Sequence, residues 1–204
     1  MNFYDKFILP HLINLVMRNK DAARCRSEII PEAQGRVVEI GIGSGLNLPF
    51  YSGQVTRVCG VDPSRELLQM ARKRAKSVPF PVELMNSPAE ELPFESDSAD
   101  TVVTTFTLCS IPDPGKALGE MRRVLKPDGN LLFVEHGLAP EAKVRTWQNR
   151  MNRPWGALAG GCNLNREIDQ LISSAGLKIQ RLDTAYLPGP RMFTFTYKGS
   201  ARKS

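Results

Sequence analysis

The 204-residue sequence predicts an α/β fold: a seven-stranded, mostly parallel sheet with helices on both faces and an antiparallel C-terminal hairpin. Three observations predict it. From residue 37 onward, short β-branched and apolar runs alternate with longer segments of helical periodicity. The first run leads straight into Gly41, Gly43 and Gly45, a turn that leaves bare backbone for something to lie against. The second run ends on Asp62, where doubly wound sheets place a carboxylate against a ribose.

Taken in order, residues 1–34 read as an N-terminal helical extension or lid, followed by the main domain at 35–204. Phe3, Phe7, Ile8, Leu12, Leu15 and Val16 recur at helical spacing, and Pro10 bends or breaks that segment near its start. Residues 37–40 form the first strand; a helix start is expected just after the glycines, its free N–H groups facing the space they leave. The second strand is 57–61, and a helix opens at Pro63-Ser64 and runs to Lys76. Residues 81–85 are the third strand, 87–94 a loop with one helical turn, and 99–106 a β-branched fourth strand. A helix spans 112–126, Pro127-Asp128-Gly129 turn the chain, and the apolar run 131–135 is a central strand. Residues 138–165 read as a helix followed by a loop, and 165–175 as a helix capped by Gly176. Strands at 177–186 and 192–198, joined by Pro188-Gly189-Pro190, complete the sheet.

Composition narrows the function. Hydrophobic residues make up 42% and charged residues 24%, as in ordinary globular domains. The net charge is +6, but Arg72, Lys73, Arg74 and Lys76 end one helix, and Arg122, Arg123 and Lys126 end another, where cations complement the helix dipole. No basic face carries interleaved aromatics, which argues against a nucleic-acid partner. Weak peripheral contact with anionic lipid, helped by Lys198, Arg202 and Lys203, stays open. Cys25, Cys59, Cys109 and Cys162 lack C-x-x-C spacing, so reduced thiols are expected and no metal site. Without a signal-peptide pattern or an apolar run of about 18 residues, a cytoplasmic location is expected. A small-molecule substrate and a monomer or homodimer complete the expectation.

The glycine turn points to an adenosine-type ligand. A dinucleotide fingerprint needs its third small residue where Leu46 stands, and Glu39 would repel a diphosphate. A ligand with a cationic amino-acid end suits Glu39 better, and S-adenosyl-L-methionine has one, with a sulfonium and no phosphate.

With E-x-G-x-G-x-G at 39–45, V-D-P-S at 61–64, A-E-E-L-P-F at 89–94, D-x-V-V at 100–103 and R-V-L-K-P-D-G at 123–129, the chain resembles the class I S-adenosylmethionine-dependent methyltransferases, which are Rossmann-like. Residues 107–110, 134–136, Trp147, Pro154-Trp155 and 161–167 are similar to the methyltransferase-like seven group, whose animal members are thiol S-methyltransferases and whose bacterial relatives are often labelled phospholipid methyltransferases. The resemblance implies that Glu39, Gly41, Gly43 and Gly45 line the methionine end of the cofactor. Asp62 would bind the ribose, and Pro63 and Ser64 would flank the adenine. Pro88 stands where many relatives carry an acid, so Ala89 and Glu90 would serve the adenine amino group. Thr105, Phe106 and Thr107 would face the sulfonium.

For the acceptor side, His136 is the candidate general base, since its ordinary pKa near 6.5 suits proton transfer, with Glu135 to orient it. Tyr4, Cys109, Trp155, Asn163 and Arg166 are candidate substrate contacts; each also has an ordinary structural reading as packing or cap. The expected reaction is methylation of a small, largely apolar acceptor, a thiol first. A phospholipid or quinone is the second reading, and a non-catalytic cofactor-binding protein the third.

Overall fold

The computed structural model describes residues 4–203; Phe3, first in the predicted N-terminal stripe, lies outside them. Seven strands form one sheet: β1 (Gly35–Ile40), β2 (Val55–Val61), β3 (Val82–Met85), β4 (Ala99–Thr105), β5 (Leu125–His136), β6 (Leu177–Tyr186) and β7 (Phe195–Lys203). Their spatial order is β3-β2-β1-β4-β5-β7-β6. The first five strands pair in parallel, and β7 runs antiparallel to both neighbours. The order reverses between β1 and β4, so the turns leaving these two strands open a crevice at their carboxyl ends.

Alternation along the strands builds two cores. Val38, Ile40, Val102 and Phe133 face one side, where they meet Leu118 and Met121 of α4 (Pro114–Val124) and Ile168 and Ile172 of α6 (Ile168–Ser174). Val37, Val58, Val103 and Leu132 face the other, against Cys25 and Ile29 of α2 (Lys20–Ile29) and Leu68 of α3 (Arg65–Ala75). The predicted N-terminal extension therefore divides. α2 covers the sheet, whereas α1 (Leu9–Val16) lies over the carboxyl edge. Pro10 sits in the first turn of α1, where a missing N–H costs nothing.

Several boundaries differ from expectation for local reasons. No α-helix follows the glycine turn; a single 3-10 turn, Leu48–Phe50, takes its place. There Asn47 commits its side chain to Glu39 and Thr105, and Gly43 gives its N–H to Asp62. β4 ends one residue early because Phe106 adopts φ +53. β5 starts at Leu125, opposite Ala99, but Thr101 already faces Asn130, so the expected 127–129 turn is a bulge inside the strand. Lys126 pins this bulge to Asp100 at 2.5 Å. α5 (Ala142–Leu158) runs through Pro154, and α6 is shorter than the predicted helix. Residues 191–194 form one helical turn, α7 (Arg191–Thr194), so β7 begins at Phe195 rather than at 192.

Candidate active site

A cavity of about 770 Å³ opens at the carboxyl edge of β1, β2 and β4. Eleven of the predicted cofactor residues line it: Glu39, Gly41, Gly43, Asp62, Pro63, Ser64, Ala89, Glu90, Thr105, Phe106 and Thr107. Gly45 does not. At φ +79 its Cα hydrogens face Ala71 and Leu48, so it seats the turn on α3 and is placed for packing rather than contact. Gly41 and Gly43 also hold positive φ, at +64 and +54. A side chain on Gly41 would overlap Thr107, while one on Gly43 would meet only the Gly41 carbonyl oxygen at 3.8 Å. Gly43 thus keeps open a backbone cradle that a methyl group would occupy.

Asp62 organises this cradle. Its carboxylate accepts from the Gly43 N–H at 2.9 Å and from the Ser64 N–H at 2.8 Å, joining the glycine turn to the N-terminus of α3. Burial raises its pKa to about 6, against the pull of those two donors. Glu39 is more deeply placed. It accepts from Asn47 Nδ2 at 2.8 Å and from the Tyr51 hydroxyl at 2.7 Å. Burial raises it to about 7, opposed by these hydrogen bonds and by the Arg26 guanidinium. Arg26 donates to Asn47 at 3.0 Å and to the Met17 carbonyl at 2.8 Å, and stands 5.7 Å from the centre of the Phe106 ring. Arg26 and Asn47 line the cavity and were missed in the sequence. Arg26 sits in a polar helix before the first strand, where no motif marks it; Asn47 had a signal, a polar side chain closing the glycine turn.

The fold places α1 against the same cavity through Leu9, Pro10, Ile13, Asn14 and Met17. It is tied at both ends. Arg74 donates to Asn14 at 3.0 Å and to the Ser44 carbonyl, and Tyr4 donates to the Leu158 carbonyl at 2.8 Å. Leu9 packs on Gly160, where an added Cβ would stand 2.9 Å from its methyl group.

The predicted acceptor residues fall elsewhere. Glu135 is fully buried and accepts from Thr104 Oγ1 and from the N–H groups of Thr107 and Leu108, so it fixes the turn after β4 instead of orienting His136. His136 is turned toward Cys162, with Nε2 2.9 Å from its sulfur, and does not line the cavity. Burial disfavours its charge, but the Cys162 contact and the nearby Glu135 outweigh that and raise its pKa. Trp155 packs on Phe193, ring centres 4.4 Å apart. Asn163 donates twice to the Cys109 carbonyl, from backbone and side chain, and Arg166 donates to the Leu108 carbonyl. Tyr4, Cys109, Trp155, Asn163 and Arg166 all lie outside the cavity lining; Asn163 and Arg166 stitch the 159–167 loop to the turn after β4. The reason is that this loop spends its polar groups on backbone carbonyls that no strand satisfies.

A sheet of this order, with a glycine cradle and a strand-end carboxylate at its carboxyl edge, has the fold of Rossmann-like methyltransferases. Residues 38–133 match the family model described as "Methyltransferase domain". The chain is 41% identical over 104 residues to a phosphatidylethanolamine N-methyltransferase of Cereibacter sphaeroides, covering 50% of this chain and 51% of that protein. It is 35% identical over 141 residues to human thiol S-methyltransferase TMT1B, covering 66% and 57%. The chain thus spans between half and two thirds of the length of these relatives. A Methanosarcina mazei S-adenosylmethionine-dependent methyltransferase has the same fold, with TM-score 0.66, 23% identity and coverage of 84% of this chain and 93% of that one.

Proposed function

We propose that the protein methylates a small, largely apolar thiol at sulfur, using S-adenosylmethionine. The cofactor supplies a methyl group on a sulfonium and a neutral leaving group. Asp62 would hold the ribose hydroxyls on the carboxylate lone pairs left by Gly43 and Ser64. Glu39, with Asn47 and Arg26 fixed around it, would set the negative potential at the amino-acid end. The Gly43 backbone would lie against the ligand. Phe106 and Thr107, anchored through Val134 and Glu135, would limit where the acceptor stands. Orientation of this kind supplies about 7–11 kcal/mol of the barrier.

The observation that carries the thiol reading is the chemistry of the lining. Among the described residues it contains no histidine, cysteine or tyrosine; of its carboxylates, Glu39 and Asp62 are engaged by internal hydrogen bonds, the others being Glu90, Glu91 and Asp113, and its α1 wall is mostly apolar. An alkylammonium, with a pKa near that of lysine at about 10.4, would have to lose a proton to a base first. A thiol near 8.5 reaches the site as a few per cent thiolate at pH 7 without a base. The test is turnover of labelled cofactor with alkyl and aryl thiols. A methyl thioether is expected; no thioether while the cofactor binds would overturn the reading.

One observation favours the phospholipid reading. Leu12, Leu15 and Val16, on the outer side of α1, are 43%, 67% and 62% exposed beside the cavity mouth. Vesicles containing phosphatidylethanolamine in the same assay discriminate: methylated lipid with inert thiols would select it. No helix among the described residues is long and apolar enough to cross a membrane.

A further inference from the structure

Beside the cavity the fold gathers three side chains that methyl transfer leaves unused. Cys109 comes from the turn after β4, His136 ends β5, and Cys162 lies in the loop after α5. One potential ligand atom from each lies within 4.8 Å of the other two. Cys109 and Cys162 are buried free thiols. His136 presents Nε2 to the cluster, 2.9 Å from the Cys162 sulfur, and its buried Nδ1 has no hydrogen-bond partner among the described residues. Linear spacing gave no hint of this, because the three residues meet only through the sheet.

The donor set is specific in its chemistry. Two sulfurs and an imidazole suit a thiophilic d¹⁰ cation, and the absence of carboxylate oxygens from the set disfavours magnesium and calcium. Charge also balances. A divalent ion with two thiolates is neutral.

We propose that Cys109, His136 and Cys162 bind one zinc ion, with the fourth position left to an exogenous ligand. Binding forms two Zn–S bonds and one Zn–N bond and releases one proton from each thiol; no electron is transferred. The ion would clamp the 159–167 loop, through Cys162, to the turn that presents Phe106, Thr107 and Ser110 to the cavity. Zinc binding is independent of which acceptor the enzyme uses.

The test uses the full chain, purified under reducing conditions, stripped with a chelator and titrated with zinc, then with cobalt as an optical probe. One equivalent of zinc, about two protons released and a sulfur-to-cobalt charge-transfer band are expected. Cys109→Ser and Cys162→Ser should each weaken zinc binding by at least about 100-fold, because losing even an outer-shell partner costs 10–100-fold. Cys25→Ser, on the opposite core, should keep one equivalent. A folded wild-type chain that takes up no zinc, or a folded Cys162→Ser variant that binds as tightly as the parent, overturns the site. Should the variants fail to fold, alkylation of the wild type decides. Zinc should slow modification of Cys109 and Cys162 by N-ethylmaleimide, and unchanged rates count against the proposal.

Discussion

Asp62 shows how one carboxylate does two tasks. Its bonds to the Gly43 and Ser64 N–H groups fix the turn, and its remaining lone pairs face the cavity. Asp62→Ala should weaken cofactor binding by about 1.5–3 kcal/mol, the range for hydrogen bonds to a charged group. Calorimetry on a folded variant measures this, and unchanged affinity would remove the ribose assignment. At this scale the glycine turn and strand-end acid that line the cavity were legible in the sequence, because Gly41, Gly43 and Asp62 are tied to local backbone geometry that few other residues satisfy. The contacts of the predicted acceptor residues were not. His136 and Glu135 do end a strand at the ligand edge, as read, but chain position does not reveal where a side chain points. Glu135 turns inward because three donors around the end of β4 need an acceptor. Asn163 and Arg166 likewise answer to the carbonyls of Cys109 and Leu108, residues far from them in the chain.

Among the elements, α1 supplies a mostly apolar wall of the cavity. Its apolar periodicity was legible, but the stripe is too narrow to say what it covers. In the fold, Leu9 and Pro10 are buried and Ile13 lines the cavity, while Leu15 and Val16 stay exposed. We infer that α1 acts as a lid on the acceptor side. Ile13→Ala removes three carbons from the cavity wall, each worth up to about 0.8 kcal/mol when buried. Because Ile13 is 37% exposed, a rise of about tenfold in acceptor KM is expected, equivalent to ~1.4 kcal/mol. Cofactor affinity should hold, since Gly43, Asp62 and Ser64 are untouched. Equal losses in both would reduce α1 to a general wall. The β5 bulge and the late start of β7 escaped sequence reading for a different reason. Pairing of Leu125 with Ala99 set the early start of β5, and the helical turn at Arg191–Thr194 set the late start of β7.

Across the whole molecule, the cavity concentrates two buried acids, Glu39 and Asp62. Glu39 is held at about 7 and Asp62 at about 6, both raised first by burial. Around Glu39 stand the Arg26 guanidinium and the Asp62 carboxylate, and the Tyr51 hydroxyl donates to it, its own pKa pushed far up by burial and by Glu39. An acid whose folded pKa lies above its unfolded value binds protons more tightly when folded. Its contribution to stability is therefore complete below about pH 4 and is lost as pH rises through 6 to 7. Thermal unfolding of the ligand-free chain should accordingly lose, between pH 5 and 7.5, a contribution that Glu39→Gln and Asp62→Asn flatten. A cationic ligand reverses the preference, since a positive amino-acid end or sulfonium favours the ionised carboxylates. S-adenosylmethionine binding should thus release protons below about pH 7, and its affinity should rise from pH 6 to pH 8 and then level. Calorimetry in two buffers of different ionisation enthalpy separates that proton release from the heat of binding. Binding without proton release at pH 6, together with affinity independent of pH, would mean that neither carboxylate meets the positive end of the cofactor, and would move the amino-acid group away from Glu39.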